Sequence, residues 1–386
     1  MKIGQFSDSF LPIVDGVGRV VYNYATALAR RGEECYVVAP MADTGFRGGY
    51  PFGLIDFISM ELPRQRQYST GIPTLDTHYD ARMRNTQLDI IHAHSPFIAG
   101  LEGQRLARRR NIPIIGMFHS RYYDDFYQYT KTEMLANLAV ATIVNFYQRC
   151  DEVWTVSQSS KETLYDYGYV GEVVVIPNGT PDVEPSAARA AAAKARFDLP
   201  DEPILLYCGQ MNWKKNILRI LEACACYQRS GKPFTLVLTG QGPDVKSIRQ
   251  KAEELGIAGR TRYTGHITDE EDLYGLYENA SLFVFPSLYD TSGMVVREAA
   301  AMETPSVVVR GCATAEPILD RENGFLCEDT TESLCRIIDM ALSDQEMTKK
   351  IGKNARKTIY LSWDDIARSA VDRYAALIER YKANLK

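Results

Sequence analysis

Two successive α/β domains, each a parallel sheet with covering helices, are what this sequence predicts, and three observations predict them. Short apolar runs alternate with stretches of helical periodicity through the first half, the rhythm of parallel strands joined by crossover helices. A cluster of breakers, Ile176-Pro177-Asn178-Gly179-Thr180-Pro181 with Pro185 soon after, interrupts that rhythm. From residue 204 the same alternation resumes. A chain of 386 residues has room for two or three domains with substantial cores.

Residues 3–6 form the first expected strand, followed at 35–39, 90–93, 112–118, 153–156 and 173–176 by the rest of the first sheet. After the first strand, Asp15-Gly16-Val17-Gly18-Arg19-Val20-Val21 opens a helix that should run to about Arg31. Gly16 and Gly18 at a strand-to-helix turn expose backbone N–H groups to an anion, or simply make a tight turn. The dinucleotide fingerprint needs a further glycine where Val21 stands, which disfavours a dehydrogenase.

Histidines sit at two strand ends. His119 follows Ile114-Ile115-Gly116-Met117-Phe118, and carboxyl ends of parallel strands are where such sheets bind ligands. His92 and His94 flank Ala93; their side chains are expected on opposite faces of the strand, which argues against chelation by the pair. Residues 118–129 are dense in aromatics, with Tyr122, Tyr123, Phe126, Tyr127 and Tyr129 either lining an acceptor groove or packing as core or interface. Residues 135–146 read as an amphipathic structural helix.

In the second half, residues 204–208 form a strand that ends at Gly209, and Gln210-Met211-Asn212-Trp213-Lys214-Lys215-Asn216 leads into a helix. Further strands are expected at 235–240, 261–265 and 307–309, with Gly265-His266-Ile267 as a terminal loop. The densest signal lies at 283–301: Phe-Val-Phe-Pro-Ser-Leu-Tyr-Asp-Thr-Ser-Gly-Met-Val-Val-Arg-Glu-Ala-Ala-Ala. A buried strand over 281–285, a polar turn closed by Gly293 and a helix from Met294 together make an anion cradle, since free N–H groups and the positive dipole end converge there. Asp290 on the turn and Glu298 one helical turn inside frame it. As residues alone, Asp290 could equally cap the helix and Glu298 could be solvated.

Asp290 and Glu298, with seven residues between them that include Ser292-Gly293-Met294-Val295, resemble the acid-(seven)-acid signature of family-4 retaining glycosyltransferases, with aspartate in place of the usual first glutamate. The resemblance implies a GT-B fold, two Rossmann-like domains facing across a cleft. It further implies that Asp290 binds hydroxyls of a donor sugar, that Glu298 binds the nucleotide ribose, and that the N–H groups between them hold the distal phosphate. Phe118-His119-Ser120 matches the family's histidine beside the sugar. Gly209-Gln210 stands where the family has Gly-Arg, and Lys215 matches the lysine aimed at the diphosphate; Ile267 falls in the region that lines the base. Glu316, Asn323 and Gly324 resemble the family's late loop and turn. The implied organisation is an acceptor-side domain over 1–180, a nucleotide-sugar domain over 181–363 and a helical tail over 364–386 that returns to the first domain.

The reaction so implied moves a sugar from a nucleotide diphosphate, expected to be a UDP-sugar used as co-substrate, to an acceptor hydroxyl with retention. Lys215, the N–H groups near Gly293 and those at Gly16 would stabilise the leaving diphosphate. The chain contains no Asp-x-Asp, so no metal and no resident cofactor are expected. Residues 118–129 are similar to the histidine-plus-aromatic segment of bacterial diacylglycerol glucosyltransferases, which makes a lipid acceptor the leading expectation and a soluble or polymeric glycan the alternative; a sugar-nucleotide binder without activity is the third reading. Four arginines within 105–110 would give weak, salt-sensitive attraction to an anionic membrane surface. A net charge of −5 gives no case for nucleic acid. The start at Met1-Lys2-Ile3-Gly4, with no leader and no membrane-length apolar run, and the eight scattered cysteines lead to a cytoplasmic expectation, at the inner membrane face if the acceptor is a lipid.

Overall fold

The computed structural model describes residues 1–11, 16–41, 48–62 and 65–384. The chain divides into two compact units, Met1–Pro181 with Ser362–Lys386, and Asp182–Leu361.

In the first unit the strands are β1 (Lys2–Phe6), β2 (Glu34–Met41), β3 (Gly53–Leu62), β4 (Gln65–Gly71), β5 (Ile90–Ala93), β6 (Ile114–Phe118), β7 (Glu152–Thr155) and β8 (Val173–Val175). Among the described residues they form one sheet in the order β4-β3-β2-β1-β5-β6-β7-β8. The pairs are parallel except β3 with β4. Because β1 lies between β2 and β5, the strand order reverses direction beside β1. The inner strands are apolar on both faces, as a sheet covered by helices requires: every residue of Ile90–Ala93 and Ile114–Phe118 is buried.

Three details depart from the sequence expectation. The sixth strand begins at Ile114 rather than 112, since Pro113 cannot donate to a ladder. Residues 53–62 and 65–71 add a hairpin that the sequence reading did not include; 65–71 is polar, while 53–62 carries an apolar pattern. The aromatic stretch becomes a helix, Tyr122–Thr130, followed by Glu133–Tyr147. Tyr122 is buried on Phe118 and Phe97, so part of the aromatic density is core, while Tyr127 and Tyr129 remain exposed.

The helix Trp363–Asn384 belongs to this same unit. Tyr374 on it stacks on Trp154 with ring planes 6° apart, and Trp363 meets Tyr24 edge-on. An isolated parallel bridge between Thr180 and Ser362 brings the two chain segments of the unit together.

The second unit contains β9 (Ile204–Cys208), β10 (Thr235–Thr239), β11 (Thr261–Gly265), β12 (Leu282–Val284), β13 (Ser306–Val309) and β14 (Phe325–Cys327). They form one sheet in the order β11-β10-β9-β12-β13-β14, parallel throughout. Here the order reverses between β9 and β12. Its core joins Leu205, Leu206, Leu236, Phe283, Val307 and Phe325 from the strands to Ile217, Ile220, Leu221, Leu334 and Ile338 from the helices. Two parallel-sheet α/β units of this kind are the GT-B architecture.

None of the cysteines is in a disulfide. Cys224 is buried on the helix Ile217–Gln228 and Cys226 turns to another side, against Cys335.

Candidate active site

In an open parallel sheet the ligand site lies beyond the carboxyl ends of the strands, where the order reverses and neighbouring loops diverge. In the second unit that place is flanked by the loops after β9 and β12. Lys215 comes from the first and Asp290 from the second, and their side chains meet: Lys215 Nζ donates to Asp290 Oδ1 at 2.7 Å. Both side chains are mostly buried, 15% and 22% exposed, so Lys215 is not a solvated loop lysine. Neighbouring Lys214 is exposed and lies over the Tyr289 ring at 5.3 Å.

Asn216 fixes this meeting. It adopts a left-handed conformation, φ 59° and ψ 31°, which asparagine tolerates, and so ends the short turn carrying Lys215. Its Nδ2 donates to the Pro286 carbonyl at 3.1 Å and to Asp329 Oδ1 at 2.9 Å, tying the β9 loop to the β12 loop. The second oxygen of Asp290, Oδ2, is buried and has no hydrogen-bond partner. A buried carboxylate oxygen without a donor is costly, and a ligand hydroxyl would satisfy it.

Beside this pair stands the helix Met294–Ala301. Its N-cap is Gly293 at φ 59° and ψ 40°, a residue with no side chain of its own to bond over the end. The alternative in which Asp290 caps the helix is thereby answered: its carboxylate is on Lys215. Gly293 suits its left-handed backbone, and a Cβ there would also press on Thr314 Cγ2 at 3.2 Å. Ser292, Met294 and Val295 are half-buried around the helix start. First-turn N–H groups at a helix start favour an anion.

Glu298 is not the solvated residue that its sequence position allowed. It is buried, and Oε2 accepts from the Tyr277 hydroxyl at 3.1 Å. Burial, reinforced by Cys208 and Glu298, pushes the Tyr277 phenol far above its ordinary value, so it remains a hydrogen-bond donor.

Gly209 and Gln210 lie at the end of β9. Gln210 is exposed; its Oε1 accepts from Asn212 Nδ2 at 3.0 Å and its carbonyl accepts from the Tyr207 hydroxyl at 2.8 Å. The backbone here is crowded: at Gly240, φ 132°, a Cβ would fall 1.9 Å from the Gly209 carbonyl oxygen. Only glycine allows strand ends to approach this closely. Ile267, past the end of β11, is half-buried against the core of the unit.

Thr314 was not singled out by sequence. It is buried against Gly293, and its Oγ1 has no partner. A lone threonine in Cys312-Ala313-Thr314-Ala315 carries no signal of its own; only the fold puts it beside the cradle.

In the first unit, Gly16 is the exposed first residue of the helix Gly16–Arg30 and Gly18 is buried on it; Asp15 lies outside the described residues. Three histidines gather where the strand order reverses. His92 and His94 do not point apart, contrary to expectation: their ring centroids are 4.2 Å from each other. The physical reason is the period of a strand, which returns residues i and i+2 to the same face. His94 in turn lies parallel to His119, with Nδ1 of His94 and Nε2 of His119 3.1 Å apart. His92 Nδ1 is 2.6 Å from the Tyr374 hydroxyl.

All three are buried. Burial lowers the His119 imidazole to about 4, and burial together with the His119 charge lowers His92 to about 3. Burial, then its two histidine neighbours, holds His94 well below the usual range. The cluster is therefore neutral at pH 7 and exchanges hydrogen bonds, not charge.

The basic run 105–110 closes the helix Ile98–Arg110, and half of it is already engaged. Arg105 forms a two-pronged pair with buried Glu102, and Arg110 donates to the Thr86 and Met83 carbonyls. Arg108 and Arg109 remain exposed. Among the described residues, no helix is long and apolar enough to cross a membrane.

Comparison with known proteins bears on the family and the fold. The model of "Glycosyltransferase Family 4" matches residues 14–183, and that of "Glycosyl transferases group 1" matches residues 191–358. An alpha-monoglucosyldiacylglycerol synthase of Acholeplasma laidlawii is 24% identical over all of this chain and 99% of its own length. A protein of the same name from Streptococcus pneumoniae is 27% identical over 80% of this chain and 70% of its own. Among solved structures, Anabaena HepE in complex with UDP superposes with a TM-score of 0.77 at 18% identity, over 97% of this chain and 100% of that one. With both halves matched by glycosyltransferase models and the fold shared with a UDP-bound relative, the chain belongs to the family-4 glycosyltransferases of the GT-B fold.

Proposed function

We propose that this glycosyltransferase transfers a hexose from a UDP-sugar to a hydroxyl of a membrane lipid such as diacylglycerol, with retention at the anomeric carbon and without a metal. The observation that carries the reading is the Asp290 carboxylate, held by Lys215 through one oxygen while the other is buried and unpartnered, beside a helix whose N-cap is glycine.

Each group has a role in that chemistry. The hydroxyls of the sugar donate to Asp290. Lys215 and the N–H groups of Gly293, Met294 and Val295 take up charge on the departing diphosphate, with Ser292 beside them. Glu298 accepts from the ribose, Gly209 and Gln210 lie along the phosphates, and Ile267 packs on the base. Gly16 and Gly18 offer further N–H groups to an anion, and His119 is the residue that the resemblance assigns to the sugar. In a retaining transfer the leaving diphosphate oxygen can itself accept the acceptor's proton, so preorganised positive charge matters more than a protein base. Lys215 supplies as a fixed ammonium what a divalent cation would otherwise supply.

The lipid acceptor is supported by the names of the two synthases and by the exposed Tyr127 and Tyr129. With only Arg108 and Arg109 exposed in the basic run, attraction to anionic lipid from that run amounts to about 2 kcal/mol, enough for visiting a surface near the inner face of a membrane and not for residence. A soluble glycan acceptor is the second reading.

The test is a transfer assay with UDP-glucose in EDTA, offering diacylglycerol in anionic vesicles and, separately, soluble sugars. Labelled glucolipid is expected, undiminished by chelator. Transfer to soluble sugars alone would replace the lipid reading with the second one. Turnover abolished by EDTA and restored by Mg²⁺ would remove the metal-free mechanism.

A further inference from the structure

We propose that Cys226 and Cys335 are a modification site: a thiol pair that a hydroperoxide closes into a disulfide, stapling the helix Ile217–Gln228 to the helix Thr331–Ser343. Both helices lie in the second unit, and the chemistry of the pair is independent of the transfer reaction.

The two helices pack side by side. Near their starts Arg219 Nη1 donates to Thr331 Oγ1 at 2.9 Å, and beyond the end of the first Lys232 Nζ donates to Asp339 Oδ1 at 2.6 Å. The helices therefore run in the same direction. Between these two links the seam sets Cys226 opposite Cys335, 109 positions away in sequence, with their Sγ atoms 2.6 Å apart. On the inner side of the seam Leu221 and Cys224 from one helix and Leu334 and Ile338 from the other are buried in the core. That packing fixes the facing backbones, so rotation of the side chains is enough to bring the sulfurs to the about 2.05 Å of a disulfide. Cys226 and Cys335 are themselves half-buried, at the edge of the seam, where a small oxidant reaches them.

Their surroundings set the order of events. Burial, reinforced by Cys226, pushes the Cys335 thiol up to about 12, against the pull of Arg229. The thiolate is the nucleophile in cysteine oxidation, so Cys335 is a poor first target and Cys226 takes the oxidant. The Cys226 sulfur attacks a peroxide oxygen; an S–O bond forms, the O–O bond breaks, and the thiol proton leaves with the first water. Cys335 then attacks the sulfenic sulfur; the S–S bond forms, the S–O bond breaks, and its proton leaves with the hydroxyl as the second water. The two sulfurs lose two electrons and hydrogen peroxide gains them. Proximity offsets the low thiolate fraction of Cys335 in this second step. Cys224 also lies near Cys335, but it is fully buried and burial pushes its thiol far up.

The test uses the full-length protein, reduced, desalted and treated with hydrogen peroxide at a small molar excess, then alkylated and mapped by mass spectrometry without reduction. Two of the eight thiols should disappear together, with a linked peptide joining Cys226 to Cys335 that dithiothreitol reverses. Closing so long a loop restricts the unfolded chain, so the thermal midpoint of the oxidised protein should rise by on the order of 5–10 °C. Cys226→Ser and Cys335→Ser should each show neither the link nor the rise. Alkylation of both cysteines after treatment, a link from Cys335 to Cys224, or sulfinic acid at Cys226 without a link overturns the proposal, and an unchanged or lower midpoint in linked protein overturns the staple. Should a serine variant not fold, the wild-type peptide map decides.

Discussion

Lys215→Ala lowers the rate of transfer at saturating donor by roughly 10²–10³, the usual cost of deleting one preorganised stabiliser of a leaving group's charge. The geometry gives the direction of each parameter. Lys215 holds one oxygen of Asp290 and, in the proposed reaction, meets the diphosphate as its negative charge grows. An interaction that strengthens in the transition state is lost mainly from kcat. Lys215→Arg keeps the charge but cannot reproduce a compact ammonium on a short turn fixed by Asn216, and should recover only part of the loss. Steady-state kinetics on the three proteins provide the check. A Lys215→Ala enzyme with unchanged kcat and a raised KM would show that this lysine only binds donor.

Glu298→Ala weakens both UDP-glucose and UDP by roughly 10- to 100-fold, the worth of a hydrogen bond to a buried charge. A ribose contact is shared by the two ligands, so both must suffer together. Asp290→Ala makes the contrast: it should weaken the nucleotide sugar and leave free nucleotide nearly unaffected. Glu298 also accepts from Tyr277, so the alanine variant loses some stability; Glu298→Gln keeps an acceptor for that hydroxyl and separates the two effects. Calorimetric titration of each variant with both ligands reads this directly. Equal losses of both ligands in the Asp290 and Glu298 variants would contradict the division of labour.

Much of this arrangement was legible in the sequence because its signals are local. The run from β12 through Gly293 into a helix of alanine, valine and glutamate encodes its own strand, turn and helix within twenty residues, and the structure places the helix start at Met294 as expected. The inner strands announce themselves by continuous apolar residues, since both of their faces are covered. The outer strand at 65–71 escaped because an edge strand need not be apolar; β3, with Leu54, Ile55 and Phe57 buried, carries an apolar pattern that went unread. What depends on strand order was not legible. No sequence pattern brings Lys215 to Asp290 across 75 positions, buries Thr314 against Gly293, or sets His94 beside His119 from two adjacent strands. His92 and His94 were misread for a simpler reason: the two-residue period of a strand puts them on one face. The arginines at 105–110 look like one basic patch in sequence, yet Glu102 and two carbonyls engage half of them.

The central claim is that this site transfers a sugar with its anomeric configuration kept. Proton NMR of the product formed from UDP-α-glucose tests it most directly, because the coupling of the anomeric proton to its neighbour distinguishes an axial from an equatorial bond. The account predicts the small coupling of an α-linked glucoside at the first time point that can be recorded. A β-linked product, with the large coupling of an equatorial bond, would contradict it.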